Sequence, residues 1–329
     1  PRDSRLAAAG RRIDFFQAAL DHPAYDSYWK ALSTREQLHR VHAAVLVFGG
    51  WYDPFVANDL EAFRRLRALG RPVRIIVGPW THDFSSRSGI VDFGPAAAVD
   101  VRRLQLEWFD RWIKGKRQPD EQPAARVFMM GANHWRELDA WPPPEVRKKV
   151  FYLASGGKLS ESPPRESKPD RFVYDPANPA PTVGGQLCCN PMIWPWGPAD
   201  QRAVEARRDV LVYSTEPLAR EISVLGPVEA ELFVSTSAPD TDFTAKLVDV
   251  YPDGRAVNLT DGILRLRYRD SLERPAGAKP GTVYEIRIEV GPTGNVFRRG
   301  HRIRLEISSS NFPRFDRNLN TGEPAGTGV

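Results

Sequence analysis

The 329-residue chain has few of the residues that build covalent or metal-held scaffolds: two cysteines and six histidines. Cys188 and Cys189 are neighbours, and a disulfide wants its Cα atoms farther apart than one peptide step. Two thiols alone make no metal site either, so both are read as free thiols, buried or partly buried. No run of about 18 apolar residues occurs, so no membrane span is expected, and no signal peptide is visible. There is no long basic run. The net charge of +5 comes from Arg residues scattered among acids, which excludes the clustered patch that nucleic-acid binding requires. His22, His39 and His42 lack metal-ligand spacing with carboxylates. Asp240, Asp242 and Asp249 lie outside any EF-hand loop, so no metal or other cofactor is expected. Internal repeats are absent. The first residue is Pro, not Met, so the chain is expected to begin inside a longer gene product or after processing.

What is present is enough for real cores. Apolar residues make up 41% of the chain, nine of them Trp, and the length suits about two domains at roughly 150 residues each. Two short apolar runs organise the first of these, Val45-Leu-Val-Phe-Gly-Gly-Trp-Tyr-Asp53 and Val73-Arg-Ile-Ile-Val-Gly-Pro-Trp-Thr-His82. A continuous apolar run, rather than an alternation, is the pattern of a buried parallel strand. Between them Ala57, Leu60, Phe63 and Leu66 recur at helical steps, Leu69 extends the stripe, and Gly70 and Pro72 end it. The whole is a strand–helix–strand unit, expected to enter its first strand from Val41. A right-handed crossover would set the two strands close in one sheet. Asp53 and His82 would then share one edge, where ligands and catalytic groups of open α/β sheets gather.

Residues 1–20 read as a helix ended by Pro23, and residues 34–40 as a short helical turn. Residues 99–114 predict a long helix whose stripe of Leu104, Trp108 and Trp112, widened by Leu106, Phe109 and Ile113, packs against the sheet. Arg126–Met130 reads as another short strand. After Pro142-Pro-Pro144 the pattern changes to short alternating segments at 149–153, 210–213, 228–235, 243–251, 262–268, 283–290 and 301–308. Turn signals separate them, among them Pro252-Asp-Gly254 and Gly291-Pro-Thr-Gly294. Short strands with regular turns predict an antiparallel sandwich or jelly roll. Residues 155–208 read mostly as loop.

An Asp and a His at neighbouring strand ends are two thirds of a Ser–His–Asp site, in which the carboxylate fixes the imidazole and the imidazole takes the nucleophile's proton. In α/β-hydrolases the chain order is Ser, then Asp or Glu, then His, and Asp53 followed by His82 fits the last two. The nucleophile elbow G-x-S-x-G occurs nowhere in the chain. Ser85, Ser86, Ser88 and Ser308–Ser310 lack its strand–turn–helix context and read as loop or surface serines. An Asp at a turn and a His in a loop also have plain structural readings.

These stretches resemble the cocaine esterase and X-prolyl dipeptidyl-peptidase family of serine hydrolases. Gly49-Gly-Trp-Tyr-Asp53 resembles its acid strand, Gly78-Pro-Trp-Thr-His82 its base strand, and Asp21-His-Pro-Ala-Tyr-Asp-Ser-Tyr-Trp29 the end of its helical cap. Trp108–Gly115 and Val127–Trp135 resemble its last hydrolase helix and strand, and Gly226-Pro-Val-Glu-Ala and Pro239-Asp-Thr-Asp-Phe its jelly roll. The resemblance implies α/β plus β architecture: residues 1–40 the end of the cap, 41–143 the C-terminal part of an α/β-hydrolase domain, and 144–329 a β jelly roll. It implies that Asp53 orients His82, that His82 is the general base and then acid, and that Phe55 and Trp51 contact a small ester or peptide substrate, Phe55 having a core reading as well. The front half of the hydrolase domain, with its nucleophile and oxyanion hole, is expected to lie outside this chain, which should be inactive alone. A sheet cut midway leaves an open edge, so self-association or pairing with the missing segment is expected. A rival reading makes the β part a carbohydrate- or protein-binding module, with Trp194 and Trp196 as its platform and the hydrolase remnant non-catalytic. Packing is the favoured role of those two residues.

Overall fold

The computed structural model describes residues 14–116, 122–165, 168–189, 192 and 195–324. The first part of the helix expected over residues 1–20 lies outside them, as does Trp194. Three short helices open the described chain: α1 (Asp14–Asp21), α2 (Ser27–Leu32) and α3 (Thr34–Gln37). Asp26 caps α2 by accepting from the backbone N–H of Tyr28.

Strand β1 (Val45–Gly50), helix α4 (Val56–Ala68) and strand β2 (Val73–Gly78) form the expected crossover. The strands are parallel neighbours, Val45 opposite Val73 through Gly50 opposite Gly78. The first strand starts at Val45 rather than Val41 because its partner begins only after Pro72, whose carbonyl accepts from Val45 N and whose nitrogen has no proton to give. Helix α4 buries Val56, Leu60, Phe63 and Leu66, each worth about 1.5–3 kcal/mol when fully buried. After the hairpin β3 (Arg87–Ser88) and β4 (Val91–Asp92) come helix α5 (Val101–Trp112), β5 (Ala125–Met129) and β6 (His134–Leu138). The sheet order is β1-β2-β5-β6. All six residues of β2 are buried, whereas β1, at the edge, buries only Gly49 and Gly50.

Helix α5 departs from expectation. Its stripe does not pack as a whole: Leu104 is buried with Ile76 and Trp80, while Leu106, Phe109, Trp112 and Ile113 stay exposed. The helix meets the sheet along one narrow line, and nothing among the described residues covers its outer apolar face.

The β part pairs two sheets. One has the order β12-β11-β14-β9-β8-β7, made of β7 (Tyr152–Ala154), β8 (Lys158–Ser160), β9 (Leu211–Ser214), β11 (Asp242–Val250), β12 (Ala256–Arg265) and β14 (Arg302–Ser308). The short helix α6 (Arg202–Glu205) precedes β9. The other sheet is the long antiparallel pair β10 (Ile222–Val234) and β13 (Tyr284–Phe297). Here the expected turn at Gly291-Pro-Thr-Gly294 is corrected: β13 continues through it, with a shift of register beside Gly291. Pro292 faces Pro227 across a two-stranded sheet, where each strand has a free side and a missing N–H costs little. Gly294 serves contact rather than turning, since a β-carbon there would stand 2.8 Å from the Trp51 ring.

One hydrophobic core runs through both parts, from Trp51, Phe63 and Phe128 to Phe243, Ile288 and Phe297. Backbone bonds join them as well: Met130 N donates to Gly294 O at 2.9 Å and Val296 N to Met130 O at 2.8 Å. Cys188 and Cys189 are joined in a disulfide with Cα atoms 3.7 Å apart, which corrects the expectation of free thiols. Cys189 has φ +91°, and that left-handed turn brings consecutive side chains together.

Candidate active site

Asp53 and His82 leave the ends of β1 and β2, and two backbone hydrogen bonds hold those ends together. Trp51 N donates to Gly78 O and Tyr52 N to Trp80 O, both at 2.9 Å. Gly50 allows that approach, because a β-carbon there would stand 2.2 Å from Trp80 O. The Trp80 indole is itself fully buried and fixed by donating to Ala97 O at 2.8 Å. The two-strand unit thus brings acid and base to one edge, 29 residues apart in sequence but in contact.

The contact is a hydrogen bond of 2.8 Å between His82 Nδ1 and Asp53 Oδ2. Asp53 is buried at 6% exposure, and its other oxygen accepts from Phe55 N at 2.9 Å. A carboxylate only accepts, so Nδ1 carries the proton and Nε2 is the free acceptor. The His82 side chain is 49% exposed. Among the described residues nothing hydrogen-bonds Nε2, so the basic nitrogen faces open space. The following turn is closed by Asp83, whose Oδ1 accepts from Thr81 Oγ1 at 2.7 Å and Ser85 N at 3.1 Å. Phe84 in that turn has φ +57°, a conformation a bulky residue adopts only under constraint. Its ring packs edge-on to Trp80 and Phe48.

The two residues expected at the substrate divide. Phe55 is half-exposed and stands edge-on to the His82 ring, centroids 5.6 Å apart, so it flanks the open imidazole and is not a core residue. Trp51 is corrected: at 0% exposure its ring packs beside Trp141 and its indole N–H donates to Phe128 O at 2.6 Å. It holds the two parts together and presents no surface to a substrate. Asp59 was missed by sequence reasoning. It lies in the first turn of α4, half-buried, and burial, then the charge of Asp53, push its carboxyl up to about 6 against the opposing effect of His82. An acid in the first turn of a helix looks like an ordinary dipole partner, so nothing local marks it.

Ser85 lies in the turn after His82, where its Oγ accepts from Arg87 N at 3.2 Å; the deeper serines stand elsewhere. Ser88 is buried under the chain at Gly197, Ser308 donates to Asp209 O, and Ser310 accepts from Ala180 N. Asp240 and Asp242 pair with Arg267 and Arg265, and Asp249 with His301. His22 pairs with Asp26, and His134 is exposed on β6. No group of His, Cys, Asp and Glu among the described residues is arranged to hold a metal. Trp196 is half-buried beside Gly197, which packs against Thr81 and Ser88.

Residues 2–83 match the X-Pro dipeptidyl-peptidase (S15) family, and residues 118–328 match the X-Pro dipeptidyl-peptidase C-terminal non-catalytic domain. The chain is 43% identical to cocaine esterase of Rhodococcus sp. (strain MB1 Bresler) over 95% of its own length and 57% of the relative's. Among solved structures it resembles an aminopeptidase from a marine-sediment Thaumarchaeota archaeon, with TM-score 0.86, 31% identity, and coverage of 95% of this chain and 55% of that one. It also resembles an α-amino acid ester hydrolase, with TM-score 0.84, 27% identity, and coverage of 97% and 57%. The chain spans about half the length of the curated relatives it matches.

Proposed function

The chain belongs to the cocaine esterase and X-prolyl dipeptidyl-peptidase family of serine hydrolases, as their C-terminal portion, and from that membership we propose that Asp53 and His82 are the acid and base of a Ser–His–Asp triad. The observation that carries this reading is the 2.8 Å bond from His82 Nδ1 to a buried carboxylate, with Nε2 left open. In the reaction a serine Oγ attacks the carbonyl carbon of an ester or amide while Nε2 takes its proton. Asp53 stabilises the imidazolium, and Nε2 then gives that proton to the leaving oxygen or nitrogen as the acyl bond breaks. Water, deprotonated by the same nitrogen, releases the acid and restores the serine. Phe55 flanks the imidazole as an apolar contact for the acyl or leaving group.

The nucleophile comes from outside this sequence, since the chain holds no G-x-S-x-G. The open edge of β1 and the exposed Leu106, Phe109 and Ile113 of α5 offer the surface on which such a segment, or a second copy of the chain, would pack. We take residues 1–40 as the end of a cap, 41–143 as the C-terminal part of the hydrolase domain, and 144–329 as a jelly roll bracing it.

With 4-nitrophenyl esters, the 329-residue chain alone should show no turnover above a His82→Ala control. Adding a polypeptide that carries a relative's G-x-S-x-G half should create activity, and His82→Ala should then lower it by about 10⁴-fold. Turnover by the chain alone that vanishes in His82→Ala would overturn the external nucleophile. Light scattering should show association that rises with concentration, and a clean monomer at high concentration would count against the open surface.

A further inference from the structure

The corner that holds Asp53 and His82 contains a third acid with no partner among the described residues. Helix α4 starts on the Asp53 turn itself, where Val56 N donates to Asp53 O at 3.3 Å. Its first turn therefore folds back over the end of β1. Asp59 lies there with Oδ2 only 3.4 Å from where a β-carbon on Gly49 would be. The carboxyl group rests against the strand end four residues before Asp53. It is half-buried, and no described residue hydrogen-bonds or ion-pairs with it. A partly desolvated carboxyl with no partner is unfavourable, and neutral side chains of similar size would avoid that cost.

We propose that Asp59 is a positioning residue for His82, its carboxylate adding to that of Asp53 to favour the imidazolium that forms when His82 takes a proton. It acts through its field, since Asp53 occupies Nδ1. The charged groups acting on Asp59 are Asp53, from the β1–α4 turn, and His82, from the loop after β2. Strand β1 itself contributes no charge. Arg74 on β2 is coupled instead to Glu137, Arg126, Glu107 and Arg111. On α4 itself, Glu61 is paired with Arg64 and Arg65. Asp59 is held near 6, so its charge changes over the range in which an imidazole ordinarily titrates.

The catalytic meaning of this role rests on the triad reading, but its test does not. The ring nitrogens and Cε1–H of His82 can be followed by NMR against pH in the 329-residue chain, with His82→Asn for assignment. The wild-type curve should carry a second inflection near pH 6. Asp59→Asn should remove that inflection and lower the proton affinity of His82 about two- to tenfold, as expected for removal of one nearby unit charge. Asp59→Glu should restore both. A curve in Asp59→Asn that superimposes on wild type overturns the proposal. Should Asp59→Asn fail to fold, Asp59→Ser makes the same distinction. Asp53→Asn separates the two readings. If it shifts His82 and Asp59→Asn does not, only this inference falls, whereas an unshifted His82 in Asp53→Asn counts against the triad.

Discussion

Two buried aspartates each meet a histidine from far along the chain. Asp53 meets His82 Nδ1 at the end of the α/β sheet, and Asp249 meets His301 Nδ1 inside the β part, each at 2.8 Å. Both aspartates are buried, at 6% and 2% exposure. The histidines differ. His82 is 49% exposed beside the edge of Phe55, while His301 is 12% exposed under the ring of Tyr251, centroids 4.5 Å apart. Burial raises the Asp249 carboxyl, and its bond to His301 works against that rise. An Asp–His bond is therefore not in itself a site. The β pair ties β11 to the turn before β14, and the sheet-end pair leaves a nitrogen free for chemistry. The lesson is that access, set by where a strand ends, separates a structural pair from a candidate catalytic one.

Removing the two acids should separate the pairs most clearly. Asp249→Ala leaves His301 buried and unpartnered and should cost about 3 kcal/mol in urea unfolding. Asp53→Ala leaves His82 free to hydrate and should cost about 1 kcal/mol. Equal losses would erase the distinction drawn here.

A second contrast lies in pH. Glu306 on β14 is buried beside Glu205 and 3.4 Å from the Lys246 ammonium. Burial, the largest cause, raises its carboxyl from 4.5 to about 7; Lys246 opposes the rise and Glu205 adds to it. The folded state holds that proton more tightly than the unfolded one. Its contribution is fully present below about 4.5 and is lost as pH rises through about 7, a change on the order of 3 kcal/mol. Stability measured across that window should fall less steeply in Glu306→Gln, which mimics the protonated acid. Parallel curves for the two proteins would show that Glu306 is not protonated when folded.

The smallest expected effect is in reactivity. Diethyl pyrocarbonate followed by peptide mass analysis should modify His82 at least about tenfold faster than His301, which reacts only when the β part opens locally. Comparable rates would mean that the β pair is as accessible as the sheet-end pair.

Much of the sheet-end site was legible because its signal is local. Continuous apolar runs ending at Gly mark buried strands, and the helix between them shows its period in Leu60, Phe63 and Leu66. Other residues carry no local mark. Gly291 and Gly294 look like turn residues until Trp51 is seen against one of them. Trp51 sits two residues before Asp53 and looks like a ligand contact until Phe128 and Trp141 are seen around it. Asp59 looks like a helix-dipole partner, and Asp249–His301 is a pair 52 residues apart with no motif.

From its sequence alone, this protein was bound to have a parallel strand pair with Asp53 and His82 at one edge, because a short crossover leaves the chain little other choice. Its tertiary structure alone decided that His82 is open and His301 covered, that Trp51 is a joint between the parts, and that the outer apolar face of α5 is uncovered among the described residues. Those outcomes depend on which distant surfaces meet, and hydrophobic periodicity says which residues seek burial without saying what will bury them.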